Sequence, residues 1–191
     1  MTITEDRSIM PDTERVLLAV RLEEDDSIAL IDRLAGCLVL QYAQHVTRIA
    51  RLTTQQVTTH PQEPGVLGLQ PGTDPLWLRP RLSRILALYL DERETAGQGA
   101  ASPYLFTGQR PGRPISAETL TARLRQVGVP NARRARNDAL LAMVDQVHWK
   151  LVADLLGISD SAAFRWHLAS GGDRASYVAS RIRLSRPAGP E

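Results

Sequence analysis

Arginine is the residue type in this sequence whose number and spacing best suit chemistry on a phosphate group. Residues 110–136 hold seven arginines against one acidic residue, Glu118, and residues 165–186 hold five more against a single aspartate. A guanidinium group presents paired N–H donors whose geometry matches two phosphate oxygens. The spacing therefore indicates a polyanion-binding face in the second half of the chain.

The same charges have a second interpretation. The whole chain of 191 residues has a net charge of only +2, because residues 1–30 carry eight acids against three arginines. Lys150 is the single lysine, which is typical of a GC-rich coding sequence that uses arginine wherever a solvated cation is needed. Charge alone leaves both interpretations open.

The other reactive side chains form no pattern typical of metal or cofactor chemistry. The four histidines share no ligand spacing, so we expect no metal ion and no other cofactor. The single cysteine, Cys37, falls in an apolar run and is expected to be a small core residue. No apolar stretch is long enough to span a bilayer, and the N-terminal residues are acidic and polar. We therefore expect a cytoplasmic protein without membrane contact.

Helical periodicity dominates the elements that must position these arginines. Apolar residues recur at helical spacing over residues 28–44, 81–94, 116–127 and 132–147, and Asp25, Asp26 and Ser27 are predicted to cap the first helix. Residues 66–69 and 76–78 flank a Pro/Gly turn and predict the one β-hairpin. We expect a mainly α (α+β) fold, a helical bundle with one small β-hairpin or sheet.

The composition divides the chain into three parts. Residues 1–25 are acidic and poor in apolar pattern, which predicts a loosely structured lead-in with one helical turn at most. Residues 26–186 form the predicted domain, whose last helix is expected at 173–184. Residues 187–191 are predicted to be a tail.

Residues 151–166 predict a helix, a tight turn and a second helix. Gly157 can adopt the left-handed conformation that ends the first helix, and Ser159 can cap the second. Trp166 would then point inward and leave Arg165 available for a phosphate or a base edge. Such corners also occur as plain packing units, so this pattern keeps both interpretations.

Two sequence boxes and the segments between them resemble the catalytic domain of the tyrosine recombinase (phage integrase) family. Residues 35–57, AGCLVLQYAQHVTRIARLTTQQV, are similar to that family's first conserved box, where an apolar helix leads through an arginine-bearing turn into a strand. Residues 133–136, RRAR, with the apolar helix and Leu-Leu-Gly that follow, are similar to the second box. The predicted hairpin and the Leu-Phe-x-Gly segment at 105–108 fall in the expected order.

This resemblance implies chemistry on a DNA phosphodiester. In that family a tyrosine attacks the phosphorus, two arginines hold the non-bridging oxygens, and a lysine or histidine protonates the leaving 5′-oxygen. Arg136 matches the second arginine, and the first falls on His45 or, one helical turn later, on Arg48. Arg133 occupies the position of the second box's histidine. Tyr177 is the candidate nucleophile, although it lies about three helical turns later than the family's tyrosine.

Three positions depart from the family pattern. Trp166 stands on or beside the nucleophile position, Ile158 replaces the histidine of the Leu-Gly-His motif, and the predicted hairpin has no lysine. An indole cannot form a phosphoester. We therefore expect a degenerate member of the family that binds DNA without cutting it, with enzymatic activity the less favoured alternative.

Together these patterns predict a protein that binds double-stranded DNA. The residues expected to contact DNA are Arg48, Arg51, Arg110, Arg113, Arg133, Arg134, Arg136, Lys150 and Arg165. A helix-turn-helix regulator, an active recombinase that uses Tyr177, and a protein-interaction module are the alternatives. The further partners considered are a second copy of the chain and another recombination or regulatory protein.

Overall fold

Helices make up most of the computed structural model, which describes residues 11–97, 102–110 and 112–171. The helices are α1 (Asp12–Glu24), α2 (Leu30–Leu40), α3 (Val46–Ile49), α4 (Pro80–Thr95), α5 (Ala117–Gln126), α6 (Ala132–Gln146), α7 (Trp149–Leu156) and α8 (Asp160–Ala169). The strands are β1 (Val57–Thr59), β2 (Leu67–Leu69) and β3 (Leu76–Trp77), and a 3-10 turn at Thr54–Gln56 precedes β1. The predicted mainly helical α+β class is confirmed.

Helix α2 lies at the centre of the main hydrophobic core. Nine of its eleven residues are buried, and it contacts α1, α4, α5 and α6. Leu34 and Leu38 of α2 pack in the same cluster as Phe106 and as Leu120 of α5. A helix that is apolar on nearly every side must be surrounded by other elements. These neighbours are therefore held in fixed positions around α2.

The sheet has three antiparallel strands in the order β1-β2-β3. Thr58 of β1 pairs with Gly68 of β2, and Gly68 pairs on its other side with Trp77 of β3. A Cβ atom at residue 68 would lie 2.7 Å from the Trp77 ring, which explains the glycine there. The predicted hairpin is confirmed, and β1 adds a third strand to it.

Helix α1 corrects the prediction of a loosely structured lead-in, which is wrong for the described residues 11–25. The helix buries Ala19 and Leu22 against α2, and it also buries Arg15, whose guanidinium donates to the carbonyl of Leu40 at the end of α2. In return, Arg33 of α2 donates from Nε to the carbonyl of Leu22 at 2.9 Å. Because the buried face includes an arginine, the apolar pattern that would have predicted a helix was missing. Residues 1–10 lie outside the described ranges.

The ends of α2 also differ from the prediction. The helix begins at Leu30, and the preceding Ala29 makes no side-chain cap. The predicted capping residue Asp25 does not cap α2; its carboxylate accepts a hydrogen bond from the backbone N–H of Ser27 at 3.0 Å. The helix ends at Leu40 instead of near residue 44. Ala43 takes the left-handed conformation, with φ at 49°, which stops the helix there.

A second hydrophobic cluster joins the C-terminal helices. Its buried residues come from α6, α7 and the position of Ala43, with Ile158 and Trp166 packed against them. Gly157 ends α7 in the left-handed region, and the Ser159 hydroxyl accepts a hydrogen bond from the N–H of Ala162 at the start of α8. The predicted helix–turn–helix corner is confirmed. The predicted helix at 173–184 and the tail lie outside the described residues, among which no helix is long and apolar enough to cross a bilayer.

Candidate nucleic-acid interface

A groove of about 450 Å³ opens between the start of α3, one side of α5 and the start of α6. We call it the arginine groove. Its lining residues are His45, Val46, Thr47, Ala117, Glu118, Thr121, Arg125, Pro130, Asn131, Ala132, Arg133 and Arg136. It brings three of the sequence-predicted catalytic residues together, namely His45, Arg133 and Arg136.

The first turn of α6 supplies two of these arginines. Asn131 caps the helix by accepting a hydrogen bond from the backbone N–H of Arg134 at 3.0 Å. Ala132 and Ala135 are buried on the core side of this turn. Arg133 and Arg136 are three residues apart and therefore project from neighbouring positions of one helix face. Cations at a helix N-terminus oppose the helix dipole, so the fold holds these charges where an anion would relieve the repulsion.

Arg136 is held by neighbours on three sides. Its Nε donates to the carbonyl of Ala43 at 3.0 Å, and its Nη1 donates to the side-chain oxygen of Asn137 at 3.2 Å. The centre of the guanidinium lies 5.9 Å from the ring centroid of Trp166. These hydrogen bonds use two of the five guanidinium N–H groups, so the others can meet a ligand in the groove. Burial, and then the charge of Arg48, lower the pKa of Arg136.

His45 stands beside the arginines at the start of α3. Its Nδ1 accepts a hydrogen bond from the backbone N–H of Thr47 at 3.4 Å, which caps this short helix. Desolvation of the ring lowers the pKa of His45, and the charges of Arg136, Arg133 and Arg48 lower it further. A negatively charged ligand in the groove would act in the opposite direction.

Arg48 does not line the groove, although its charge acts on His45 and Arg136. Its guanidinium donates to the carbonyl of Leu156 through Nη1 and to the carbonyl of Gly157 through Nη2, the latter at 3.0 Å. These carbonyls lie at the C-terminal end of α7, where a helix lacks internal donors. Gly72 also packs here, since a Cβ atom at that position would lie 2.4 Å from the carbonyl oxygen of Asp154. Arg48 thus fastens α3 to the end of α7.

Two predicted DNA contacts, Arg110 and Arg113, lie in a different groove of about 470 Å³ on the opposite side of α5. Both side chains are exposed. Arg123 lines this second groove as well, but it forms a bidentate pair with Asp32 of α2, with Nε to Oδ1 at 2.6 Å and Nη2 to Oδ2 at 2.8 Å. The arginine-rich run of the sequence is therefore divided by α5 into two sites.

The remaining predicted DNA contacts are dispersed. Arg51 follows α3 and is exposed, and Arg134 is half-buried beside the arginine groove. Lys150 at the start of α7 is paired with Asp154 at 3.4 Å and with Asp160 at 2.9 Å. Arg165 is exposed on α8, as the sequence predicted. None of these four lines the arginine groove.

Sequence reasoning missed Arg125 of α5, which lines the groove opposite α6. Thr121 lines it one turn earlier on the same helix face. The spacing of 121 and 125 on a helix that faces the predicted arginine turn could have identified this residue.

The candidate nucleophile Tyr177 lies outside the described residues. The tyrosines within them are Tyr42, Tyr89 and Tyr104, and none lines the arginine groove. Tyr42 is buried and accepts a hydrogen bond from the backbone N–H of Arg79 at 2.8 Å. Within the described ranges, no three His, Cys, Asp or Glu residues are grouped so that they could hold a metal ion.

Comparison with known proteins identifies the fold. No family model matches the sequence, and no curated protein matches it either. Among solved structures, the crystal structure of XerA recombinase is similar, with a TM-score of 0.57 and 16% sequence identity. The similarity covers 90% of this chain and 64% of the XerA chain. The chain therefore shares the fold of that neighbour and spans less than two thirds of its length.

Proposed function

We propose that this chain binds double-stranded DNA through the arginine groove and does not cleave it. The observation that carries the proposal is the convergence of Arg125, Arg133 and Arg136 from two helices on one groove. Among the ion pairs of the described residues, none involves these three guanidinium groups, which leaves them suited to a phosphodiester backbone. The recombinase-like fold supports the same class of ligand.

Arg136 is the residue best prepared to hold a phosphate. Its contacts with Ala43 and Trp166 fix the side chain before any ligand arrives. A fixed arginine loses little side-chain entropy on binding and can present two parallel N–H groups to two oxygens. Arg133 is exposed and can adjust to a neighbouring phosphate of the same strand.

We expect no cleavage because the groups around Arg136 lack the chemistry that it requires. Trp166, whose sequence position matches the nucleophile of the family, packs against this arginine and has no oxygen to attack a phosphorus. Arg48, one candidate for the first arginine, is engaged by two backbone carbonyls. His45, the other candidate, stays largely uncharged near neutral pH because its pKa is lowered. These features support binding without chemistry.

The test is a DNA titration across a salt series with a duplex pool of mixed sequence. Wild-type protein should bind with an affinity that falls steeply with salt, because each neutralised phosphate releases counterions. The Arg133→Ala/Arg136→Ala variant should lower the slope of log K against log salt by roughly two, at about 0.9 per phosphate contact. Arg84→Ala, an exposed arginine of α4 outside the groove, is the control and should change little. No binding at low salt, or binding unchanged in the double variant, would overturn the proposal.

The claim that no strand is cut has its own test. A nicked suicide duplex traps any covalent protein–DNA intermediate, and we expect none. A covalent adduct that disappears in Tyr177→Phe would instead establish an active recombinase.

A second candidate function is sequence reading by α8, favoured by the exposed Arg165 on a helix whose start is capped by Ser159. A base contact contributes about 1–3 kcal/mol of discrimination. If α8 reads bases, Arg165→Ala should weaken binding to a selected sequence and leave mixed-sequence binding intact. If the groove alone binds DNA, both affinities should stay the same.

A further inference from the structure

Helix α1 presents an apolar face to solvent while it buries a charge. Leu17, Val16 and Val20 are 64%, 47% and 37% exposed, and Arg15 on the opposite side is only 8% exposed. A single exposed leucine is ordinary on a protein surface. Three apolar residues within two turns of one helix form a contiguous strip, which is typical of a surface that another molecule covers.

Leu17 and Val20 form the apolar centre of one stripe of α1, with Thr13 and Glu24, which pairs with Arg81, at its two ends. Thr13, Leu17, Val20 and Glu24 follow one another at intervals of four, three and four residues, which places them along one stripe of the helix. Val16 lies beside this stripe. The 13 residues of α1 give it a length of about 20 Å, enough for a helix–helix seam.

Two opposite charges border the stripe on the same side. Glu14 is exposed near the start of α1, and Arg21 is exposed near its end. They are seven residues apart, so both project from nearly the same angle around the helix. Leu17 lies almost midway between them.

We propose that this face pairs with the same face of a second copy of the chain, with the two α1 helices antiparallel. A two-fold axis beside Leu17 and Leu18 would place Glu14 of each copy next to Arg21 of the other, so both charge pairs form at once. A parallel arrangement would place the charges of the two copies on opposite sides of the seam, where neither Glu14 nor Arg21 meets its counterpart. The charge order along α1 therefore selects the antiparallel dimer.

The surface beside the seam extends the area that a second copy can cover. A shallow groove of about 340 Å³ adjoins Val16 and Val20 and reaches Tyr42 and Trp77. Its residues come from α1, the end of α2 and the sheet, all of which pack against the main core. Because α1 is short, the dimer should be reversible and depend on protein concentration.

The proposal is tested by sedimentation equilibrium of the full chain over a concentration series, without DNA. We expect a monomer–dimer equilibrium whose dissociation constant rises at least about tenfold in Leu17→Glu, because two carboxylates would meet at the centre of the seam. Leu151→Glu is the matched control, since this leucine of α7 is 48% exposed and lies away from α1. Its dissociation constant should equal that of the wild type.

Charge reversal tests the antiparallel register itself. Glu14→Arg and Arg21→Glu should each weaken the dimer, and the double variant Glu14→Arg/Arg21→Glu should restore it, because both pairs are then rebuilt with the signs exchanged. A chain that stays monomeric at every concentration would overturn the proposal, as would a dimer insensitive to Leu17→Glu. A double variant no better than the single ones would also contradict the register. None of these outcomes depends on whether the arginine groove binds DNA.

Discussion

The arginines around α2 and the arginines of the groove have the same chemistry but different partners. Arg33 donates to the carbonyl of Glu23 at 2.8 Å and to Asp26 at 2.7 Å, in addition to its bond with Leu22, and is almost fully buried. Arg125 and Arg133 are exposed on the walls of a groove. An arginine whose N–H groups already meet carbonyls or carboxylates supports the fold, whereas one with unused donors in a concave site can bind a ligand. The partners, rather than the residue type, separate the two roles.

Because the chain holds both kinds of arginine, charge alone left two interpretations open, and each interpretation applies to part of the chain. Arg123 belongs to the arginine-rich run by position, yet its guanidinium is engaged by Asp32. Arg133 and Arg136 belong to the same run and line the groove. Counting cations along the sequence therefore overstates the positive surface available to a ligand.

The largest expected effect comes from removing a supporting arginine. Arg33→Ala should lower the free energy of unfolding by about 3 kcal/mol. The substitution removes a buried side chain of α2 and leaves the carbonyls of Leu22 and Glu23 at the end of α1 without their hydrogen-bond donor. Urea denaturation followed by circular dichroism measures this. Arg84→Ala should cost less than about 0.5 kcal/mol as the exposed control. An Arg33→Ala protein as stable as the control would show that these hydrogen bonds contribute little.

Arg123→Ala should have an intermediate effect, a loss of about 2 kcal/mol, because the buried carboxylate of Asp32 loses its bidentate partner. Part of this loss should return in Asp32→Ala/Arg123→Ala, where no unpaired carboxylate remains. The salt slope of DNA binding should not change. If the slope fell as it does for Arg133→Ala/Arg136→Ala, Arg123 would belong with the groove arginines instead.

Much of the architecture could be predicted from the sequence, because its helices bury apolar residues at regular spacing. The helices at 81–94, 116–127 and 132–147 were found within about two residues, and the predicted DNA contacts Arg133 and Arg136 lie together in the arginine groove. Helix α1 could not be predicted because its buried face contains Arg15, while Val16, Leu17 and Val20 face solvent. The Asp32–Arg123 pair spans 91 residues, so no local pattern could reveal it.

Arg48 was placed by the sequence with the catalytic arginines, whereas its hydrogen bonds place it with the supporting ones. Arg48→Ala should cost about 1 kcal/mol and speed amide exchange in α7 and α8, since the end of α7 loses its fastening to α3. Hydrogen–deuterium exchange measures this directly, with Arg51→Ala as the neighbouring exposed control. A drop in the salt slope of about 0.9 without faster exchange would instead mark Arg48 as a phosphate contact.

The smallest expected effect is a pH dependence of DNA binding that arises from His45. Its pKa lies below the ordinary value in the free protein because of desolvation and three neighbouring arginines, and a bound phosphate should raise it by cancelling their charge. The complex then binds more protons than the free protein, so affinity should increase as pH falls from neutral through the pKa of His45 in the complex. Glu118 should not contribute, since hydrogen bonds from its own backbone and from Ser116 lower its pKa and keep it ionised.

The control separates this effect from general protonation of the protein. His148 caps α7 through its Nδ1 much as His45 caps α3, but it lies outside the arginine groove. His45→Gln should flatten the dependence of affinity on pH, whereas His148→Gln should leave it as in the wild type. An affinity that is independent of pH in the wild type would mean that the phosphate does not approach His45. The DNA would then contact the outer wall of the groove, through Arg125 and Arg133, and not the side where Arg136 rests on Trp166.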